Sequence, residues 1–194
     1  MLSSTEIARG TQGALGFLRR DPGAPLYFDN NFAACLRSFR VMVLVAPIHA
    51  IYLLLYYSTF EVAADEWEIV GVEALRYIVD WLLFPVIFYE IARRRGWLER
   101  YPRYVGALNW IALPAMIVAL LVFVVELVTP SPLPLIADLA IRAFVFYWFL
   151  MATRMVLGVN WLTAGVLLLV NWVPSLLLSL IVTRFLSITP LPGG

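Results

Sequence analysis

The sequence predicts an all-α protein: a polytopic transmembrane helix bundle of five spans, preceded by an N-terminal amphipathic surface helix. Three observations predict it. The 194 residues are 62% hydrophobic and 14% charged, against about 45–50% and about 25% in ordinary soluble domains. Val41 to Tyr57, Tyr104 to Val125 and Met155 to Thr183 carry no formal charge, and a bilayer core of about 30 Å needs roughly 20 helical residues. All 14 basic residues are arginine, and they are sorted along the chain as cytoplasmic loops are.

Residues 3–20 place Ile7, Thr11, Ala14, Leu15 and Leu18 at helical spacing, with Arg9, Arg19 and Arg20 available to a polar side. Glycines 10, 13 and 16 each weaken that helix by up to about 1 kcal/mol relative to alanine, so it needs the membrane or the bundle in order to form. The segment lacks the unbroken apolar run of an export signal and is expected to stay on the mature protein. Asp21-Pro22-Gly23-Ala24-Pro25 breaks the chain, and Asp29 or Asn30 is expected to cap the next helix. Residues 1–39 therefore read as a cytoplasmic N-terminal segment and residues 40–194 as the transmembrane domain.

The spans fall at 40–58, 69–91, 106–128, 133–154 and 160–183. Between the first two, Thr59 to Glu68 holds Glu61, Asp65, Glu66 and Glu68 and no arginine, whereas Ala92 to Val105 holds Arg93, Arg94, Arg95, Arg100 and Arg103 against Glu99 alone. Thr129-Pro130-Ser131-Pro132 is a short uncharged link, and Met155 to Val159 follows Arg154. Eleven of the fourteen arginines then lie on one side. Translocating arginine is costly, which puts the N-terminus in the cytoplasm and the C-terminus in the periplasm of a bacterial inner membrane. Trp67, Trp97, Trp110 and Trp161 fall near the predicted interfaces, where indole is favoured. Prolines 47, 85, 114 and 174 lie inside spans and predict kinked helices whose neighbours satisfy the freed carbonyls.

Charges inside spans cost about 2.5–3.5 kcal/mol each on insertion scales and should face protein or water. Glu73, Arg76 and Asp80 share one face of the second span, and Asp138 and Arg142 form an i, i+4 pair in the fourth. A rise of about 1.5 Å per residue puts Asp80 roughly 15 Å, and Arg142 roughly 12–14 Å, from the outer ends of their helices. An Asp80–Arg142 bridge is therefore expected near mid-membrane, with His49 and Asn171 at similar depth. His49, Arg76, Asp80, Arg142 and Asn171 are expected to line one polar interior, with Glu73 and Asp138 nearer the outer surface. Two readings of this network stand side by side: a proton or small-solute path in which His49 titrates near neutrality, and a satisfied buried network that fixes helix neighbours.

At the opposite face Glu90, Arg93, Arg94, Arg95, Asn109, Arg154 and Asn160 cluster. The arginines, with Arg100 and Arg103, are candidate contacts for anionic lipid headgroups at about 1 kcal/mol each, or for a protein partner or second copy of the chain. No nucleic-acid partner is expected. One cysteine, Cys35, and one histidine cannot make a disulfide or a metal knuckle, and the absence of lysine excludes Schiff-base chemistry and a Walker-type phosphate loop. No metal, cofactor or enzymatic activity is expected. The role expected is non-enzymatic: a membrane-organising or accessory subunit, with a small transporter or channel component as the alternative.

The segments LYFDNNFAACLRSFRVMVLVAP, YVGALNWIALPAMIV and FYWFLMATRMVLGVNWLTAGVLLLVNW together resemble a group of uncharacterised bacterial five-span inner-membrane proteins, a likeness that covers most of the chain and implies no activity. In layout the chain is also similar to Yip1-type membrane-organising proteins, although the Asp-Leu-Tyr-Gly-Pro motif of their eukaryotic members is absent.

Overall fold

The computed structural model describes residues 2–129 and 133–190. Its helices are α1 (Ser4–Leu18), α2 (Phe32–Ser38), α3 (Val41–Tyr57), α4 (Glu66–Arg95), α5 (Tyr101–Val128), α6 (Leu133–Leu157) and α7 (Trp161–Phe185), with two short strands, β1 (Phe60–Val62) and β2 (Ile188–Pro190). Four helical stretches are long and apolar enough to cross a membrane: Phe32–Tyr57, Tyr101–Val128, Ile136–Leu157 and Trp161–Phe185. The remaining long helix, α4, has 30 residues and is about 45 Å long, but it carries Glu73, Arg76 and Asp80 along its middle.

Local chemistry sets the helix ends. Ser3 and Glu6 form a reciprocal capping box at α1. Asn31, rather than Asp29 or Asn30, caps α2 by accepting the Ala34 N–H at 2.8 Å, because Asp29 is drawn to Arg9, also at 2.8 Å. Asp65 caps α4 and Asn160 caps α7. At the other end of α4, Gly96 turns left-handed at φ 72°, which lets the Trp97 N–H reach back to the Ala92 carbonyl at 2.8 Å.

The long helices surround a common axis. α5 packs on α3 and α6, α6 on α7, and α7 on α4. The backbones of α3 and α4 stay apart, and side chains bridge their seam: Tyr57 donates to Glu73 at 2.6 Å and Tyr77 donates to the Met42 carbonyl at 2.6 Å. At one end β1 and β2 pair antiparallel, with Glu61 opposite Thr189, and so tie the end of α3 to the end of α7. At the other end Arg100 donates to the Leu157 carbonyl and Arg103 to the Phe28 carbonyl at 3.0 Å. Outward-facing positions include Leu54, Leu121, Leu162, Leu177 and Ile181, an apolar exterior that suits hydrocarbon rather than water.

The helix expected over residues 3–20 is present as α1, and its closest contacts come from Gly10, Gly13, Ala14, Gly16 and Phe17. Ile7, Thr11, Leu15 and Leu18 stay only half-buried. The glycines let α1 lie directly on the ring of Trp110 and on Tyr27, Phe28 and Ala24. Trp148 on α6 donates its indole N–H to the Ala14 carbonyl at 2.8 Å, and the Arg20 guanidinium reaches Tyr147 Oη at 2.9 Å. Thus α1 is docked on α5 and α6 at the arginine-bearing end.

Candidate functional site

Four aromatic rings close the centre of the bundle toward the arginine-bearing end. Phe88 and Tyr104 stand 4.7 Å apart between centroids, with Phe84 and Phe149 alongside. Thr153 Oγ1 donates to the Phe149 carbonyl at 2.7 Å, so Tyr104 is the donor in the 2.7 Å contact between the two hydroxyls. Both groups are buried and satisfied.

Beyond this plug lies a cavity of about 500 Å³, lined by residues of α3, α4, α5, α6 and α7. Its polar lining is His49, Tyr77, Asp80, Asn109, Asn171 and Ser175. The His49 ring stacks on Tyr77 at 4.8 Å and 25°. Among the described residues, four buried side-chain atoms have no hydrogen-bond partner: His49 Nε2 and Asp80 Oδ1 in this lining, and Glu126 Oε1 and Arg154 Nε outside it. Such groups are few in folded proteins, and each needs a physical explanation such as strain, a functional role or a bound water or ligand. Asn109 joins the cavity to the N-terminal segment: its amide donates to Ser38 Oγ at 2.9 Å, and Ser38 donates to the Cys35 carbonyl at 2.6 Å.

The expected set therefore divides. His49, Asp80 and Asn171 meet in the cavity, whereas Arg76 and Arg142 do not line it. The Asp80–Arg142 bridge does not form. Arg142 takes Asp138 on its own helix at 2.8 Å, and Arg76 takes Glu73 at 2.7 Å and reaches Ser179 at 3.4 Å. A partner one turn away is already in place once the helix forms, so no second helix has to be held in register. Glu73 is buried and Asp138–Arg142 faces outward. Asp80 is left as the one carboxylate of the cavity lining.

Tyr77 is the lining residue that sequence reasoning misses, although it follows from spacing, three residues before Asp80 on the same helix face; Ser175, a membrane serine with only His49 as a possible base, lines the same cavity as that histidine, four residues after Asn171. Asn109, expected in the arginine cluster, faces the cavity instead. Asn160 is a helix cap.

The arginine cluster is mostly occupied within the chain. Glu90 binds both Arg93 and Arg94, at 2.9 and 2.6 Å. Arg100 and Arg103 hold carbonyls, and the Arg154 guanidinium lies 4.0 Å from the Trp161 ring centroid. Among the described residues, no three His, Cys, Asp or Glu side chains converge where a metal could be held. No family model, curated protein or solved structure matches the chain.

Proposed function

We propose that this chain is a bacterial inner-membrane protein of five spans, with a cytoplasmic N-terminus and a periplasmic C-terminus, that binds a small solute in its central cavity as a transporter or channel component. α4 serves as the fifth span. Its in-span acid Glu73 is paired with Arg76, and Asp80 faces the cavity rather than lipid, which removes much of the insertion penalty for charge. The observation that carries the solute-binding reading is the cavity itself, with two buried polar atoms on different helices, His49 Nε2 and Asp80 Oδ1, lacking partners inside a space of about 500 Å³. Ligand sites are commonly of this size, mostly apolar with a few convergent polar groups. Leaving both atoms without a partner is costly for a network that serves structure alone.

The membrane-organising role has less to draw on. Four of its six candidate arginines, Arg93, Arg94, Arg100 and Arg103, are ion-paired or hydrogen-bonded within the chain, and Arg154 lies over the Trp161 ring. The test is flux in reconstituted vesicles: proton or solute movement is expected with the wild-type chain and is abolished by Asp80→Asn. No flux from wild-type protein, together with stoichiometric co-purification of another membrane protein, would replace this reading with the accessory one.

A further inference from the structure

The cavity is chemically lopsided. Asp80 is the only acid in its lining and no arginine joins it there, since the nearby guanidinium of Arg76 is held by Glu73 and that of Arg142 by Asp138. Trp81, Phe84, Phe146, Phe149 and Trp172 supply aromatic wall, and most of the remaining lining is aliphatic. Aromatic faces attract cations through their quadrupole, and a carboxylate among them is stabilised by a counter-charge.

From this we infer that the cavity takes a lipophilic organic cation bearing a single positive charge, with Asp80 as its counter-ion and the aromatic wall around its apolar body. The inference rests on the solute-binding reading and specifies its ligand class. A bare metal ion fits poorly, because a space of about 500 Å³ with one carboxylate cannot supply the six to eight close oxygens that a hard cation such as calcium takes. An organic anion would meet the Asp80 carboxylate with no arginine in the lining to offset it. His49, stacked on Tyr77 with Nε2 unpartnered, is placed to bond a polar substituent on the same ligand.

Binding of tetraphenylphosphonium to the full chain in detergent micelles tests this, read by the fluorescence of the cavity tryptophans and compared with triphenylphosphine oxide, an uncharged molecule of similar aromatic body. Asp80→Asn is expected to weaken the cation at least tenfold, about 1.4 kcal/mol, while changing the neutral probe less than twofold. Asp80→Glu, which keeps the charge, is expected to stay within about threefold of wild type, and this separates loss of charge from loss of fold. If Asp80→Asn binds the cation as tightly as wild type, the ligand class is wrong while the cavity still binds. If neither probe binds wild type, or if filling the cavity by Ala112→Phe leaves both affinities unchanged, the inference and the solute-binding reading fall together.

Discussion

Trp110 crowds the place where a side chain at Gly10 would be: a Cβ added to Gly10 would stand 2.1 Å from the indole ring. The ring is buried and cannot swing away as the tip of a flexible side chain could. Gly10→Ala is therefore expected to destabilise the protein by about 1–3 kcal/mol, the usual range for overpacking, even though alanine is the better helix former by about 1 kcal/mol. Thermal unfolding in detergent measures it. A more stable Gly10→Ala protein would mean that α1 is not seated on α5.

Glu73 accepts from both Tyr57 and Arg76, at 2.6 and 2.7 Å, and its side chain is 6% exposed. Glu73→Gln leaves the Arg76 guanidinium without its counter-charge, and breaking a buried pair on one side costs about 3 kcal/mol or more. The double variant Glu73→Gln with Arg76→Gln removes both charges and is expected to recover most of that loss. A double-mutant cycle on unfolding free energy decides it: simple additivity would show that the pair is not coupled.

The sequence made the long helices legible because hydrocarbon length is written in composition. Helix ends were less legible: the predicted span 69–91 stops at its flanking charges, whereas α4 runs from Glu66 to Arg95, since a capped helix continues beyond the apolar stretch. Depth was also readable, and it placed His49, Asp80 and Asn171 at one level. Depth says nothing of direction around the bundle axis, which is why equal depth does not bring Asp80 to Arg142. The docking face of α1 was hidden for another reason. Glycine is a cost to helix propensity, while at positions 10, 13 and 16 it is the means of close approach. The pairing of residues 60–62 with 188–190 joins strands too short and too distant in sequence to carry a periodic signal.

The start of α1 responds to acid. The Ser3 backbone N–H donates to the Glu6 carboxylate at 2.8 Å, and this bond, helped by the Ser3 hydroxyl and by Arg37, holds the Glu6 carboxyl below the ordinary glutamate range. A carboxyl whose pKa is lowered on folding contributes stability above its unfolded value and loses it as pH falls through the folded one. Amide exchange protection in the first turn of α1 is therefore expected to hold at neutral pH and to fall in wild type once pH drops below the usual carboxylate range. In Glu6→Ala, which removes the side-chain acceptor, the first turn should be frayed already at neutral pH, with no added loss in acid. Identical pH profiles for the two proteins would show that the capping box contributes nothing.

The two ends of the bundle differ in charge. β1 and the start of α4 carry Glu61, Asp65, Glu66 and Glu68, while the end of α4 carries Arg93, Arg94 and Arg95. If arginine retention sets the orientation, the first end faces the periplasm and the second the cytoplasm. Cys35 is the only cysteine and is buried, so Cys35→Ala gives a cysteine-free background at little cost in volume. On that background Glu61→Cys and Arg95→Cys place single thiols at exposed positions at opposite ends. A membrane-impermeant maleimide is expected to label Glu61→Cys in intact cells with a permeabilised outer membrane. Arg95→Cys should be labelled only after the inner membrane is opened. Equal labelling of both thiols from outside would mean that α4 does not cross the bilayer, and the reverse pattern would invert the topology, leaving the docked N-terminal helix on the periplasmic side.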